Sequence, residues 1–329
     1  MRNSNRQIVL KKRPEGMPQP GDFEMIEQPI PEPGEGEVVT KLTWLSIDPY
    51  MRGRISAVKS YAKGVDPGEV MVGGGVGQVA RSRHPKYQPG DWVESFAMGW
   101  QDYAKLPAMG LRKLDPAAHP PELALGLLGM PGLTAYFALL DIGQPKPGET
   151  VLVSAASGAV GQVVGQIAKI KGCRAVALAG SDAKVAWCRE LGYDAAINYK
   201  TAPNLSAAIG AECKPVDIYF DNVGGAAHDA AMSRIGDGAR IIICGVIDTY
   251  NRLEQPDIGL RHLRRMLVNR ATMKGFLVTD HAARFAQGLA ELDAWRRAGK
   301  LKYRQDVTDG LENAPAALVR VLSGGNFGK

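Results

Sequence analysis

Short apolar runs alternate with stretches of helical spacing through the second half of the 329-residue chain. The apolar runs predict strands at Val151–Ser154, Arg174–Ala179, Asp217–Phe220, Arg240–Cys244 and Met273–Val278. Helical periodicity over Val160–Lys171 and Asp182–Leu191, each followed by a glycine, predicts helices between strands. Strands that alternate with helices form βαβ units, so this half is predicted to be α/β, with a doubly wound parallel sheet.

The first half of the chain has a different pattern, rich in proline and glycine between short apolar runs. Three runs are predicted strands and indicate a compact, mostly β domain: Val38–Leu45, Val70–Val72 and Trp92–Phe96. The last predicted helix, Leu311–Leu322, lies beyond the alternating series. We therefore predict a mostly β domain over 1–126, an α/β domain over 127–299, and a C-terminal segment over 300–329 that returns to the first domain.

The turn Ala155–Gly161, between the first α/β strand and its helix, is built from small residues. Strand, turn, helix and second strand follow within about 30 residues, the context that a dinucleotide-binding fingerprint requires. Gly158 would let the backbone approach a pyrophosphate, and Gly161 would let the helix pack on the strand. Because Ala156 stands where the first fingerprint glycine is expected, a turn that only eases helix packing remains the alternative.

The residues that follow the second strand of the α/β half, Arg174–Ala179, predict which dinucleotide binds. Enzymes that use NAD place a carboxylate there for the ribose 2′-hydroxyl, whereas this chain has Gly180 and Ser181, with Lys184 one turn further on. A hydroxyl and an ammonium suit the 2′-phosphate of NADPH, and we expect Asp182 to cap the following helix. Lys184 as an ordinary exposed helix residue is the other interpretation.

Composition and charge narrow the class of protein. The chain is 45% hydrophobic and 22% charged with a net charge of +6, and its basic residues are dispersed among acids, which argues against a nucleic-acid partner. The densest basic stretch, Arg261–Arg270, is interpreted as a solvated helix face, with phosphate binding as the alternative. Four scattered cysteines, no apolar leader at the N-terminus and no long apolar run predict a cytoplasmic protein that does not enter a membrane.

Motifs spread along the whole chain resemble a known family. In order they are LSIDPYMRGR, HPKYQPGDWV, GMPGLTAYFALLDIG, AASGAVG, GSDAKV, NYK, FDNVGG, ICGVIDTYN and GGNFGK. Together they are similar to the zinc-independent medium-chain dehydrogenases/reductases, in the branch of the prostaglandin, 2-alkenal and curcumin reductases. The resemblance implies a GroES-like β domain, a Rossmann domain that binds NADPH, and a homodimer.

The same resemblance implies the residues of the cofactor site. It assigns the pyrophosphate to Gly158–Gly161, the 2′-phosphate to Lys184, the adenosine side to Tyr199, and the nicotinamide to Asn222 and several later segments. Together with Gly180 and Ser181, inferred above from the residues themselves, the complete candidate set for the cofactor is Gly158, Ala159, Val160, Gly161, Gly180, Ser181, Lys184, Tyr199, Asn222, Cys244, Gly245, Val246, Ile247, Tyr250, Phe276, Leu277, Val278 and Asn326.

We predict no metal site. The five histidines form no HxxxH or Cys/His cluster, and catalytic zinc needs three protein ligands with an open position. Zinc-dependent relatives carry a Gly-His-Glu motif, whereas the matching stretch here is Gly73–Gly77, which holds neither a ligand nor an acidic neighbour.

The implied reaction adds a hydride to the β-carbon of an α,β-unsaturated aldehyde or ketone, so negative charge develops on the carbonyl oxygen. A hydroxyl donor aimed at that oxygen would lower the barrier. Tyr250 is our candidate donor and Tyr50 the second, although each could be a turn tyrosine with a packing role. Met130 and Thr134 are candidate substrate contacts that also suit helix packing. A zinc-free quinone reductase and a non-catalytic NADPH-binding protein are the alternative functions.

Overall fold

The computed structural model describes residues 4–329, which form two compact units. The first contains the chain up to Leu125 together with Tyr250–Gln255 and Val307–Gly325. The second contains the remaining segments, Gly126–Thr249, Pro256–Asp306 and Asn326–Lys329. No helix among the described residues is long and apolar enough to cross a membrane.

The first unit is built on antiparallel strands. Its strands are β1 (Ser4–Leu10), β2 (Phe23–Pro29), β3 (Glu37–Leu45), β4 (Gly75–Ser82), β5 (Trp92–Ser95), β6 (Tyr103–Pro107) and β7 (Arg112–Lys113). β1 pairs with β2, and the other five form a sheet in the order β6-β3-β4-β5-β7. One short helix, α1 (Met51–Arg54), follows β3. Val38, Val79 and Val93 point into one apolar core, as the alternating pattern of the strands requires.

The second unit is a parallel six-stranded sheet with helices. Its strands are β8 (Thr150–Val153), β9 (Arg174–Ala179), β10 (Ala195–Asn198), β11 (Val216–Asp221), β12 (Ile235–Ile243) and β13 (Thr272–Gly275). Its helices are α2 (Met130–Phe137), α3 (Gly161–Ile170), α4 (Asp182–Glu190), α5 (Leu205–Glu212), α6 (Gly225–Met232), α7 (Leu263–Val268) and α8 (Phe285–Arg297). The strand order β10-β9-β8-β11-β12-β13, with every pair parallel, confirms the predicted doubly wound sheet.

The central strands of this sheet are buried, which explains their continuous apolar sequence. Leu152, Val176, Tyr219 and Ile241 come from four different strands and belong to one core cluster. A last helix, α9 (Ala314–Leu322), is grouped with the first unit and is preceded by a 3-10 turn over Leu311–Asn313.

Three elements differ from the sequence-based expectation. Val70–Val72 is not a strand: Val70 makes only one isolated bridge, to Val9. β10 was not predicted, since its Ala-Ala-Ile-Asn sequence has weak β propensity. β12 begins at Ile235 rather than at the predicted Arg240. Its first residues were not predicted as strand, because Gly236 and Gly238 interrupt the apolar pattern there.

Candidate active site

The turn between β8 and α3 has a tightly defined backbone. The residue in a left-handed conformation is Ala155, with φ of 47°, and the Ala156 N–H donates to the Leu178 carbonyl at 3.0 Å. Ala156 itself has no positive φ, so the first fingerprint position does not require glycine here. Gly161 is required: a Cβ there would lie 2.5 Å from the Ala155 carbonyl oxygen and 2.6 Å from the Ala156 Cα.

Helix α3 begins at Gly161 without a side chain that caps its first N–H groups. The N–H groups of Gln162 and Val163 donate to the backbone carbonyls of Gly158 and Val160, and the positive end of the ten-residue helix suits a phosphate. A Cβ on Gly158 would have the Ala155 carbonyl oxygen as its nearest atom, at 3.2 Å. Because Gly158 has no side chain, a ligand can approach the backbone of the turn closely. These features fit a dinucleotide pyrophosphate at Gly158, Ala159, Val160 and Gly161.

The end of β9 has the polar character that the sequence predicted. Ser181, not Asp182, caps α4: its hydroxyl accepts from the Lys184 N–H at 3.3 Å, so the expected capping role of Asp182 is wrong. The Asp182 carboxylate instead accepts a hydrogen bond from the Asn198 amide at 2.8 Å. The serine precedes the helix and therefore has the extended backbone that an N-cap needs.

Lysine side chains gather beside this strand end. Burial lowers the pKa of Lys184, and the nearby Lys200 lowers it further, while Asp306 opposes the shift. Two mutually repelling ammonium groups would be stabilised by a bound dianion. The Tyr199 hydroxyl lies 2.8 Å from the point that a Cβ on Gly180 would occupy, so a larger residue there would require the Tyr199 side chain to move. The group fits a 2′-phosphate.

Lys200 and Arg304 were not predicted from the sequence. The Arg304 guanidinium packs on the Phe327 ring, 3.7 Å from its centroid, and Gln162 holds the Arg304 backbone through both its amide N and O. Gln166 holds Lys302 in the same way. The available signal for these contacts was two buried glutamines four residues apart, on the face of a mostly apolar helix.

The turn after β11 is tied to the end of β8. The Asn222 N–H donates to the Ser154 Oγ at 2.8 Å, and the Asn222 amide donates to the Ser154 carbonyl at 2.8 Å. The segment after β12 is bonded to the same turn, because the N–H groups of Cys244 and Gly245 both donate to the Asp221 carbonyl. The two segments approach closely: a Cβ on Gly245 would lie 2.9 Å from the Asn222 carbonyl oxygen.

The remaining nicotinamide candidates follow these strand ends. Val246 and Ile247 continue the chain after Gly245, and both are half-buried. The Phe276 N–H donates to Ile243, at the end of β12, and its buried ring stacks on His281. Leu277 is exposed, and Val278 opens a 3-10 turn. The carboxyl ends of parallel strands form one edge of a sheet, where ligands of this fold bind.

Three other candidates in this unit are the Cys244 thiol, the Thr134 hydroxyl and the Asn326 amide. Burial raises the pKa of the Cys244 thiol to about 12, so the thiol stays neutral. The buried Thr134 hydroxyl donates to the Met130 carbonyl at 2.7 Å within α2. The Asn326 amide donates to Gly328 at 2.9 Å.

The two candidate tyrosines belong to the first unit. Tyr50 immediately precedes α1, and Tyr250 opens the 3-10 turn Tyr250–Arg252, which packs against α1. Burial, followed by the charge of Asp48, raises the pKa of Tyr50 well above its usual value, although Arg54 opposes the shift. The Tyr50 hydroxyl therefore keeps its proton at neutral pH and can serve as a hydrogen-bond donor.

No group of three or more metal-binding side chains occurs within residues 4–329. Together, the parallel sheet, the turn at its strand ends and the lysine pair at the end of β9 are the features expected of a dinucleotide-dependent oxidoreductase. Comparison with known families agrees: residues 6–114 match the N-terminal domain of oxidoreductases, and residues 159–294 match the zinc-binding dehydrogenases.

Individual relatives match over nearly the full chain. The NADPH-dependent curcumin reductase of Escherichia coli is 44% identical, over 99% of this chain and 95% of its own. The NADP(+)-dependent 2-alkenal reductase of Nicotiana tabacum is 43% identical, over 99% of this chain and 96% of its own. The crystal structure of CurA from Vibrio vulnificus in complex with NADPH, 44% identical, has a TM-score of 0.93 over 98% of this chain and 97% of its own.

The chain therefore belongs to the medium-chain dehydrogenase/reductase family, in the branch of the curcumin, 2-alkenal and prostaglandin reductases. This finding confirms the predicted family and fold, and the relatives support the predicted use of NADPH. The roles of individual site residues stay predictions.

Proposed function

We propose that this protein reduces the C=C double bond of α,β-unsaturated aldehydes and ketones with NADPH. The observation that carries the proposal is the identity of more than 40% with curcumin and 2-alkenal reductases over almost the whole chain. The residues of the second unit fit the cofactor: the N-terminus of α3 for the pyrophosphate and a pair of lysines for the 2′-phosphate.

Bound NADPH would supply the hydride that adds to the β-carbon of the substrate, and a proton from water would add to the α-carbon to complete the reduction of the double bond. The protein orients the reactants and stabilises the negative charge that develops on the substrate carbonyl oxygen. We assign the hydroxyl donor for that oxygen to Tyr250, with Tyr50 as a second hydroxyl for the substrate. Met130 and Thr134 are assigned to the substrate side, where the Thr134 methyl and the Met130 thioether would offer apolar contact.

The function is tested by a substrate panel with NADPH and NADH in parallel. We expect consumption of NADPH with 2-alkenals and with curcumin-like dienones, accompanied by loss of the conjugated alkene absorbance. Strict preference for quinones would instead indicate a quinone reductase. Tight NADPH binding without turnover on any of these acceptors would indicate a non-catalytic protein.

Lys184→Ala is expected to raise the KM for NADPH by about 10- to 150-fold, the equivalent of one charge-assisted hydrogen bond. The KM for NADH should change by no more than about twofold, because NADH has no 2′-phosphate. Steady-state kinetics with both cofactors measures the effect, and Lys169→Ala, on the partly exposed ion pair with Asp194, is the matched control. An equal rise in the KM values for NADPH and NADH would show that Lys184 does not contact the 2′-phosphate.

A homodimer is proposed through the edge of the parallel sheet. β13 is an edge strand, and all four of its residues are exposed. Exposed apolar side chains occur on the strand and on the helix that precedes it: Met273 on β13, and Leu263, Leu267 and Val268 on α7. An open strand edge beside apolar surface favours pairing with another strand, and a second copy offers the same edge across a two-fold axis.

Combined Leu267→Lys and Met273→Lys substitutions are expected to convert the dimer to a monomer, because they bring like charges together at the pairing edge. Size-exclusion chromatography with light scattering measures the mass. Met109→Lys, at the most exposed apolar side chain of the first unit, is the control and should leave the mass unchanged. A wild-type monomer, or a double variant that stays dimeric, would refute this interface.

We also propose a reducing compartment, the cytoplasm, as the location. All four cysteines are free thiols. Burial raises the pKa values of Cys188 and Cys213 to about 12, which keeps these thiols protonated and unreactive. Free structural thiols of this kind are typical of proteins that fold where disulfides do not form.

A further inference from the structure

Asp221, the last residue of β11, is a buried carboxylate at the centre of a hydrogen-bond network. Its Oδ1 accepts from the Ser154 Oγ at 2.9 Å, the Tyr219 hydroxyl at 2.9 Å, the Val223 N–H at 2.9 Å and the Gly224 N–H at 3.0 Å. Burial acts to raise the pKa of Asp221, but hydrogen bonds, the largest from His228, hold the pKa below its usual range. Asp221 is therefore ionised at neutral pH.

The network determines the shape of the turn that follows β11. Asp221 holds the N–H groups of Val223 and Gly224, and Ser154 links the same carboxylate to the N–H of Asn222. The positions of three successive residues thus depend on the orientation of one carboxylate. A rotation of that carboxylate would move the turn.

His228 holds the second oxygen of this carboxylate. Its Nδ1 lies 2.9 Å from the Asp221 Oδ2. Because an ionised carboxylate only accepts, the Nδ1 carries a proton and donates. His228 is on the first turn of α6, so it connects that helix to the strand end.

The His228 ring is itself fixed by its neighbours. It packs on Tyr219 with ring centroids 6.1 Å apart and meets the edge of the His262 ring at 5.9 Å. The His262 Nε2 is 2.7 Å from the Asp229 Oδ1, which anchors the second histidine to α6. Two histidine–aspartate pairs thus support the turn from the side of α6.

We propose that His228 is a positioning residue for hydride transfer, which holds Asp221 so that the Asn222–Gly224 turn presents the surface on which the nicotinamide rests. This inference depends on the proposed function, because it assumes that the nicotinamide contacts Asn222. A positioning role differs from a purely structural one, since its loss affects the nicotinamide half of the cofactor and leaves the adenosine half in place.

His228→Leu removes the donor at similar side-chain volume. We expect the single-turnover rate of hydride transfer from NADPH to fall by about 100-fold, the cost of roughly 1 Å of misplacement. Affinity for 2′,5′-ADP, which lacks the nicotinamide, should stay within about twofold of the wild type, because its binding residues lie at other strand ends. The fluorescence of bound NADPH reports the nicotinamide environment without requiring turnover, and we expect it to change.

His228→Asn is the conservative rescue, because an asparagine Nδ2 can occupy the place of the histidine Nδ1. We expect it to recover most of the rate. Ile209→Ala opens a cavity in the core cluster that contains Tyr219 and controls for a general loss of stability. It should lower Tm without a comparable loss in hydride transfer.

The outcomes separate the inference from the function on which it rests. A wild-type protein that binds no NADPH or reduces no enone refutes the proposed function. A wild-type protein that does both, with a His228→Leu variant that transfers hydride within about twofold of the normal rate, refutes the positioning role alone. Parallel losses for 2′,5′-ADP and hydride transfer, or failure of His228→Asn to restore the rate, also refute it.

Discussion

Tyr250→Phe is expected to lower kcat for an α,β-unsaturated ketone by about 100- to 1000-fold, the usual effect of removing one donor from a developing oxyanion. The reason is electrostatic: the negative charge on the substrate oxygen would lose the hydroxyl that faces it. Phenylalanine keeps the ring, so packing of the Tyr250–Arg252 turn against α1 should persist. The Kd for NADPH should therefore remain close to the wild-type value.

Single-turnover kinetics and NADPH titration measure these two effects separately. Tyr50→Phe is the matched variant, because Tyr50 is the other candidate hydroxyl in the same unit. We expect a smaller loss of kcat there, accompanied by a change in KM. If Tyr50→Phe lost the rate and Tyr250→Phe did not, the donor would be Tyr50. Unchanged kcat in both would assign the oxyanion to another group.

Gly161→Ala is expected to destabilise the second unit and abolish NADPH binding. The added methyl carbon would lie 2.5 Å from the Ala155 carbonyl oxygen and 2.6 Å from the Ala156 Cα. Both are backbone atoms of the turn, so the strain cannot be relieved by rotating a flexible side chain. We expect a loss of about 3 kcal/mol in the free energy of unfolding, which is the upper end of the usual cost of inserting a methyl group into a closely packed site. In a unit of this size that corresponds to a fall in Tm of about 10 °C.

Gly158→Ala is the matched control within the same turn. A Cβ there would lie 3.2 Å from the Ala155 carbonyl oxygen, which a small adjustment can accommodate. Its methyl group would project where the pyrophosphate approaches, so NADPH binding should weaken while Tm stays near the wild-type value. Thermal denaturation and NADPH titration of both variants give the comparison. A Gly161→Ala protein with normal Tm and normal affinity would contradict the packing argument.

Most of the fold and part of the site follow from short stretches of sequence. The apolar runs from Val151 to Phe220 predicted the buried strands, since both faces of a parallel sheet are covered. Ser181 and Lys184 were chosen as candidates because they are three residues apart at the start of one helix, and their cofactor roles stay predictions. Ala156 was interpreted as an irregular fingerprint position, whereas the backbone places the left-handed conformation at Ala155.

The sequence did not predict which groups distant along the chain lie close together in the folded protein. Lys200 ends the NYK motif, but it follows a strand, β10, that was not predicted, so its proximity to Lys184 could not be inferred from the sequence. His228 was one of five histidines without ligand spacing, and nothing in that spacing indicated a bond to Asp221. Tyr250 was grouped with the Cys244–Tyr250 segment, although the structure assigns it to the first unit with Tyr50.

The sequence by itself determined the parallel sheet, the cofactor turn and the preference for a 2′-phosphate, because each depends on periodicity or on residues within a few positions of one another. Tertiary structure alone decided which groups support the Asn222–Gly224 turn after β11. Ser154, Asp221 and His228 come from three different elements, and only the parallel alignment of β8 with β11 and the packing of α6 bring them within hydrogen-bond distance. Such contacts depend on how the chain folds back on itself, which local sequence does not encode.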